Sequence, residues 1–361
     1  GDSMKAKKGT VQRPLPVAPP EKRFISNQMR LGKVIEANRK LYMLLGLRSE
    51  QELNKLKNGG EQAIADEITA ADRHQEDDRG WTDIDWLRYL KEELTQQPSK
   101  PRRAIAGQPA DEPDKGGIGE GKSLDEFVAH PIAAAAKLTR GHMLAIRLWT
   151  SSVFATINEA LHLGCSPQRP HPYPATVALL VEALQKIRLA VEDKPHLFTA
   201  FGALGELETG PTASKTPLVW RVFNTAEEIG EYRQRGGVEL GFFSCFKNRQ
   251  AAEKFAATIP KEEVKTKQPA LLKVKTDLEG LVDISFFSVR PKEGEILYPP
   301  ACYLEMRSEA NASTIIEGEE KGRRKEVKLT VIETAPQVGL RGKPPGEEVV
   351  VTQKTKEKQA S

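Results

Sequence analysis

The chain has 361 residues, 54 Lys and Arg against 50 Asp and Glu, and a formal net charge of +4. That near balance argues against the strongly basic surface of broad nucleic-acid binding, and no apolar run approaches the roughly 18 residues of a membrane span. Cys165, Cys245 and Cys302 lie far apart with no CxxC pair, and six histidines are scattered singly, so neither a disulfide framework nor a metal site is expected.

Residues 1–23 are rich in Lys and Pro with little to bury, and read as a disordered tail. The first basic residues have no apolar stretch behind them, so no signal peptide is expected and the compartment reads as intracellular, cytoplasmic and reducing. From 24 to 95 the pattern is helical. Leu31, Val34 and Ile35 recur at i, i+3, i+4, and Leu41, Leu44 and Leu45 repeat that spacing. A second helix begins near Trp81, with Thr82 or Asp83 as its cap and Trp86, Leu87, Leu90 and Leu94 on one face. Residues 96–122, with four prolines and five glycines, read as a linker.

Helical patterns resume over Leu124–Thr139, Met143–Leu163 and Thr176–Val191. The period then changes to two, with strands expected at Leu218–Phe223, Glu239–Phe243, Ala270–Val274, Leu281–Phe287, Ile296–Tyr298, Tyr303–Arg307 and Glu326–Ile332. Short helices are expected between them at Thr225–Arg233 and Arg249–Ala257. Helices first and strands second is the order of an α+β domain, here residues 123–335. Residues 336–361 read as a polar tail.

Three stations on these strands carry candidate chemistry. Arg221 sits in the apolar run Trp220–Phe223, where a buried guanidinium needs an anionic partner. Its fork suits phosphate oxygens, although taken alone an internal salt bridge is the simpler reading. Ser244 ends the run Leu240–Phe243, where turn chemistry is the simpler reading. Glu293 and Glu295 flank Gly294 just before Ile296–Tyr298 and Pro299-Pro300. On an extended backbone both acids point to one side; a solvated acidic pair explains them as simply. Cys245 has no His paired with it nearby in sequence, which argues against a thiol nucleophile.

In this order, the stations resemble the arginine-specific mono-ADP-ribosyltransferases, a family with an Arg–Ser–Glu signature. The likeness is tightest over Phe287-Ser288-x-x-Pro291-x-Glu293-x-Glu295-Ile296-Leu297-x-Pro299-Pro300. Trp149–Leu161 resembles the family's Tyr-Thr…Ile-Asn…Leu segment, and Leu240–Phe255 its Phe-x-Ser-x-Ser…Ala…Phe segment. The resemblance spans about 123–335 and leaves 24–94 unexplained. It implies a β-sandwich of two small sheets flanked by helices, preceded here by the helical N-terminal region. It further implies NAD as co-substrate, an acceptor protein with an exposed arginine, and no metal. Glu295 would be the catalytic glutamate, contacting the nicotinamide ribose, and Glu293 would orient and deprotonate the acceptor arginine. Arg221 would hold the pyrophosphate and ribose, Ser244 would position Glu295, Phe255 would stack on the nicotinamide, and the backbone at Val222 would bind the carboxamide. Two positions depart from the pattern: Phe246 replaces the second Ser or Thr, and Val222 stands where glycine is frequent. They motivate one alternative, a degenerate NAD- or ADP-ribose-binding protein; an NAD glycohydrolase with water as acceptor is another.

Overall fold

The computed structural model describes residues 24–25, 40–71, 76, 80–91, 122–194, 206–207, 217–223, 237–257, 270–275, 282–308, 313–320 and 323–337. The expected tail over 1–23, Leu31–Ile35, Leu94, nearly all of the linker at 96–122, the helix at Thr225–Arg233 and the chain beyond 337 lie outside them.

The first half is helical. After α1 (Leu41–Leu44), α2 (Glu50–Thr69) starts where the Ser49 hydroxyl accepts from the Glu52 N–H, and it bends at Gly60, whose φ of 54° suits glycine. Next comes α3 (Asp83–Leu90), opened by a capping box between Thr82 and Asp85. α4 (Leu124–Val128) and α5 (Pro131–Ala135) follow. The single helix expected over Leu124–Thr139 divides because the residue before Pro131 is driven out of the helical region. The helix expected over Met143–Leu163 divides too, into α6 (Arg140–Trp149) and α7 (Phe154–Leu163). Between them the hydroxyls of Thr150 and Ser151 donate to the carbonyls of Arg147 (3.1 Å) and Leu148 (2.6 Å), local bonds that compete with the helix. The long α8 (Pro174–Asp193) has no side-chain cap of its own. Glu67 of α2 supplies one, accepting from the N–H groups of Ala175 (2.6 Å) and Thr176 (2.8 Å).

Residues 41–90 therefore join the rest. Leu53, Ile64, Ile68 and Trp86 share one apolar core with Leu144, Leu148, Leu180 and Ile187, and with Phe242, Phe287 and Leu297 from the strand half. Arg140 is paired with Glu61 at 2.8 Å, and the Tyr173 hydroxyl donates to the buried Asp83.

The second half is sheet, giving a mixed α+β fold. The strands are β1 (Phe24–Ile25), β2 (Glu206–Leu207), β3 (Pro217–Phe223), β4 (Gly237–Glu239), β5 (Phe243–Phe246), β6 (Ala270–Lys275), β7 (Glu295–Tyr298), β8 (Cys302–Ser308), β9 (Ser313–Glu320) and β10 (Arg323–Gln337), with α9 (Arg249–Ala257) after β5. Among the described residues they form one hydrogen-bonded path, β1-β4-β8-β10-β6-β3-β5-β7, with β2 on β3 and β9 on β10. The β10–β6 pair is parallel and the others are antiparallel. The pairing itself draws no boundary between two sheets.

Several expectations are corrected here. Phe24 and Ile25 are not helical: they pair with Glu239 and Val238. The strand expected at Glu239–Phe243 is two strands separated by a bend at 240–241. Gly241 is required there because a Cβ would lie 2.7 Å from Asn158 Oδ1 and 2.7 Å from His162 Nε2. Gly241→Ala is expected to cost about 1–3 kcal/mol as overpacking, read as a lower urea midpoint with an unchanged m-value. Of the strand expected at Leu281–Phe287, Leu281 lies outside the described residues, and 282–287 is a single bridge followed by a turn at 285–287 rather than a strand. Asp283 makes a lone bridge to Ile296, and its carboxylate then captures the N–H and hydroxyl of Ser285. Ser313–Glu320, a run ending in acidic residues, is a strand that the alternation did not signal. β10 also runs on to Gln337, past the expected start of the tail.

Candidate active site

β7 is buried along its whole length, and its alternation sorts the side chains by face. Leu297 joins the helical core while Ile296 and Tyr298 do not. Glu295, two residues before Leu297, therefore points toward the helices. β5 pairs with β7 in the register Phe243↔Tyr298, Ser244↔Leu297, Cys245↔Ile296 and Phe246↔Glu295, so Ser244 shares that face.

The Ser244 hydroxyl donates to Glu295 Oε1 at 2.5 Å, and the Trp149 indole N–H donates to the same oxygen at 2.9 Å. Arg221 reaches the pair through the backbone, its guanidinium donating to the Ser244 carbonyl at 2.6 Å while lying 4.9 Å over the Phe243 ring. β3 pairs with β5 only at Trp220↔Phe246. Arg221 and Val222 follow that last pair, where the two strands part. Arg221, Ser244 and Glu295 are thus brought together by the β3–β5–β7 order.

Glu295 is 9% exposed. Burial pushes its carboxyl up to about 7, against the opposing hydrogen bonds from Ser244 and Trp149; nearby Glu293 adds to the rise and Arg290 opposes it. Glu293 sits differently from its expected place. It ends a 3₁₀ turn (Pro291–Glu293), and Gly294 follows with a φ of 57°. The two acids are therefore not side by side on an extended backbone: the Glu293 side chain is 42% exposed and lies 3.7 Å from Arg290, whereas Glu295 is buried. Their separation by a left-handed glycine gives one acid to solvent and one to the interior.

The surroundings hold this arrangement. The backbone of Glu295 accepts from the Ile284 N–H at 3.1 Å, and the Gly294 carbonyl accepts from the Lys247 N–H at 2.9 Å. Lys247 is also ion-paired with the buried Asp283. On the β5 side the Asn158 side chain forms two bonds with the Phe242 backbone, at 2.9 Å and 3.1 Å, and His162 pairs with the buried Glu239 at 2.5 Å. Burial pushes the Cys245 thiol far above its usual range, so it stays protonated and is no nucleophile. Phe246 is half-buried, and Phe255 lies on α9 with its side chain outside the described part.

Sequence reasoning did not single out Trp149, Asn158 or Arg290. The first two fall in Trp149–Leu161, a segment noticed for its resemblance, but nothing in the sequence ties them to Glu295 or Phe242. A cavity of about 800 Å³ lies among the helices and one of about 200 Å³ between helices and Pro299-Pro300, and neither includes Arg221, Ser244 or Glu295. Among the described residues no His, Cys, Asp and Glu cluster could hold a metal, and no helix is long and apolar enough to cross a membrane.

Comparison with protein-family models and with curated proteins returns no match. Among solved structures the chain is similar to the ADP-ribosyltransferase HopU1 of Pseudomonas syringae, at 14% identity over 59% of this chain and 86% of that one, with a TM-score of 0.39. A 70-residue N-terminal truncation of the type III effector XopAI from Xanthomonas axonopodis matches at 14% identity over 86% of this chain and all of that one, with a TM-score of 0.38. The eukaryotic mono-ADP-ribosyltransferase ART2.2 matches at 16% identity over 63% and 84%, with a TM-score of 0.32.

Proposed function

We propose that the chain is an NAD-dependent mono-ADP-ribosyltransferase that cleaves the nicotinamide–ribose bond and transfers ADP-ribose to arginine side chains of a protein. The observation that carries this reading is the bond between Ser244 and Glu295, with Arg221 fastened to the same serine. Three residues distant in sequence, in the order of the signature, meet across three neighbouring strands.

NAD, as co-substrate, supplies the ADP-ribosyl group and releases nicotinamide. Glu295, ionised, stabilises the positive charge that builds on the ribose as that bond lengthens, much as a glycosidase carboxylate does. Held by two donors, it needs no reorganisation to do so. Arg221 offers the guanidinium for pyrophosphate oxygens, and the backbone at Val222, past the last β3–β5 pair, offers hydrogen bonds to the carboxamide. Phe255 is assigned to the nicotinamide ring. An acceptor arginine is a poor nucleophile because its pKa exceeds about 12. Glu293, exposed to an incoming protein, takes its proton as the arginine nitrogen bonds the ribose carbon. Residues 123–335 are assigned as the catalytic unit, with the helices of residues 41–90 packed onto it. The reading places the enzyme inside the cell.

Incubation with labelled NAD and an arginine-rich protein tests this: labelled protein and free nicotinamide are expected, and the absence of both from wild type would sink it. Nicotinamide release without labelled protein would instead favour the glycohydrolase. Bound but uncleaved NAD would favour the degenerate form, for which the bulk of half-buried Phe246 is the supporting observation.

The raised Glu295 value sets a pH dependence. The working form is the ionised one, so the rate should fall as pH drops through about 7. A profile of kcat/KM for nicotinamide release is expected to show an acidic limb near that value, and a limb near 4 would contradict it.

A further inference from the structure

The two oxygens of Glu295 are not equivalent. Oε1 accepts from both Ser244 and Trp149, which fills the two acceptor directions of one carboxylate oxygen. We infer that Trp149 is a positioning residue: its indole N–H, with Ser244, fixes Oε1 and leaves Oε2 as the oxygen offered to the substrate. The inference deepens the proposed transferase reading and rests on it for the word substrate.

Trp149 is built to hold one direction. Its ring is 2% exposed and lies 4.8 Å from the Phe242 ring and 6.0 Å from that of Phe154. It is the last residue of α6, and both flanks of that helix end are tied to the loop leading to Glu295. Arg147 donates to the Phe287 carbonyl at 3.2 Å, and the Thr150 hydroxyl accepts from the Val289 N–H at 3.0 Å. Donor and acceptor therefore ride on one clamped unit. An indole N–H can only donate, so together with Ser244 it keeps one carboxylate oxygen turned to the interior as an acceptor and the other turned away from both donors. The bond also favours the charged acid, opposing the burial that raises it.

Nuclear magnetic resonance of the full chain tests this with or without turnover. In wild type the Trp149 indole N–H signal, assigned by its loss in Trp149→Phe, is expected to shift with pH at the same midpoint as the carbon-13 carboxyl signal of Glu295. In Glu295→Gln the indole should no longer follow that midpoint. In Trp149→Phe the Glu295 midpoint should rise by about one pH unit, while Phe154→Leu, which loosens the same packing and keeps the N–H, leaves it in place. If the transferase reading holds, Trp149→Phe should also lower kcat for nicotinamide release about tenfold with little change in the KM for NAD. An indole signal that ignores Glu295 in wild type overturns the inference, as does an equal midpoint shift in Phe154→Leu. Coupled titration in a protein that releases no nicotinamide would leave the positioning intact and remove the transferase reading alone.

Discussion

Glu295→Gln is expected to lower nicotinamide release by about 10²–10³-fold while raising stability. The amide keeps an oxygen that accepts from Ser244 and Trp149 but cannot ionise. The wild-type carboxyl is raised to about 7 when folded, above its unfolded value of about 4.3. Its favourable contribution is thus complete below about pH 4 and is lost as pH rises through about 7. At pH 8 the variant should be more stable than wild type by on the order of 3–4 kcal/mol, and at pH 4 that advantage should vanish. Urea melts at the two pH values, beside a nicotinamide assay, check both halves. A variant that cleaves NAD normally, or whose stability difference does not depend on pH, would contradict the assignment.

Glu293→Gln should divide the two halves of the reaction. Glu293 is more than a third exposed and its contact with Arg290 is 3.7 Å long, so little stability is at stake. As the group that deprotonates the acceptor, its loss should reduce arginine labelling by about 10²-fold or more, with nicotinamide release remaining within about an order of magnitude of wild type. Parallel measurement of labelled protein and free nicotinamide reads the split. An equal fall in both would assign Glu293 to bond cleavage, and no fall in either would remove it from the site.

Much of this arrangement was legible in the residues. β3, β6, β7, β8 and much of β10 follow from period-two alternation of β-branched and aromatic residues, the cap at Thr82 follows from local chemistry, and the long α8 follows from its helical period. What failed did so for identifiable reasons. Met143–Leu163 has one continuous helical period, but three hydroxyl residues after Trp149 offer the backbone other partners and end α6 early. Leu281–Phe287 is apolar enough for a strand, yet Asp283 bends it by capturing Ser285. Gly294 was read as a spacer between two acids on extended chain; its left-handed conformation sends them to different environments. Sequence order brought Arg221, Ser244 and Glu295 onto strands, but only pairing could bring them together, because the β3–β5–β7 order is a property of the sheet. The Trp149 bond was invisible, since a tryptophan at a helix end reads as packing. The union of residues 41–90 with the rest was equally hidden, because the trans cap from Glu67 to α8 joins residues more than a hundred positions apart.

A crystal structure of Glu295→Gln soaked with NAD tests the central claim most directly. The dinucleotide is expected with its pyrophosphate on Arg221, its carboxamide on the Val222 backbone and its nicotinamide ribose facing the side chain at 295. A dinucleotide bound away from all three, or no binding at NAD concentrations well above those in cells, would contradict it.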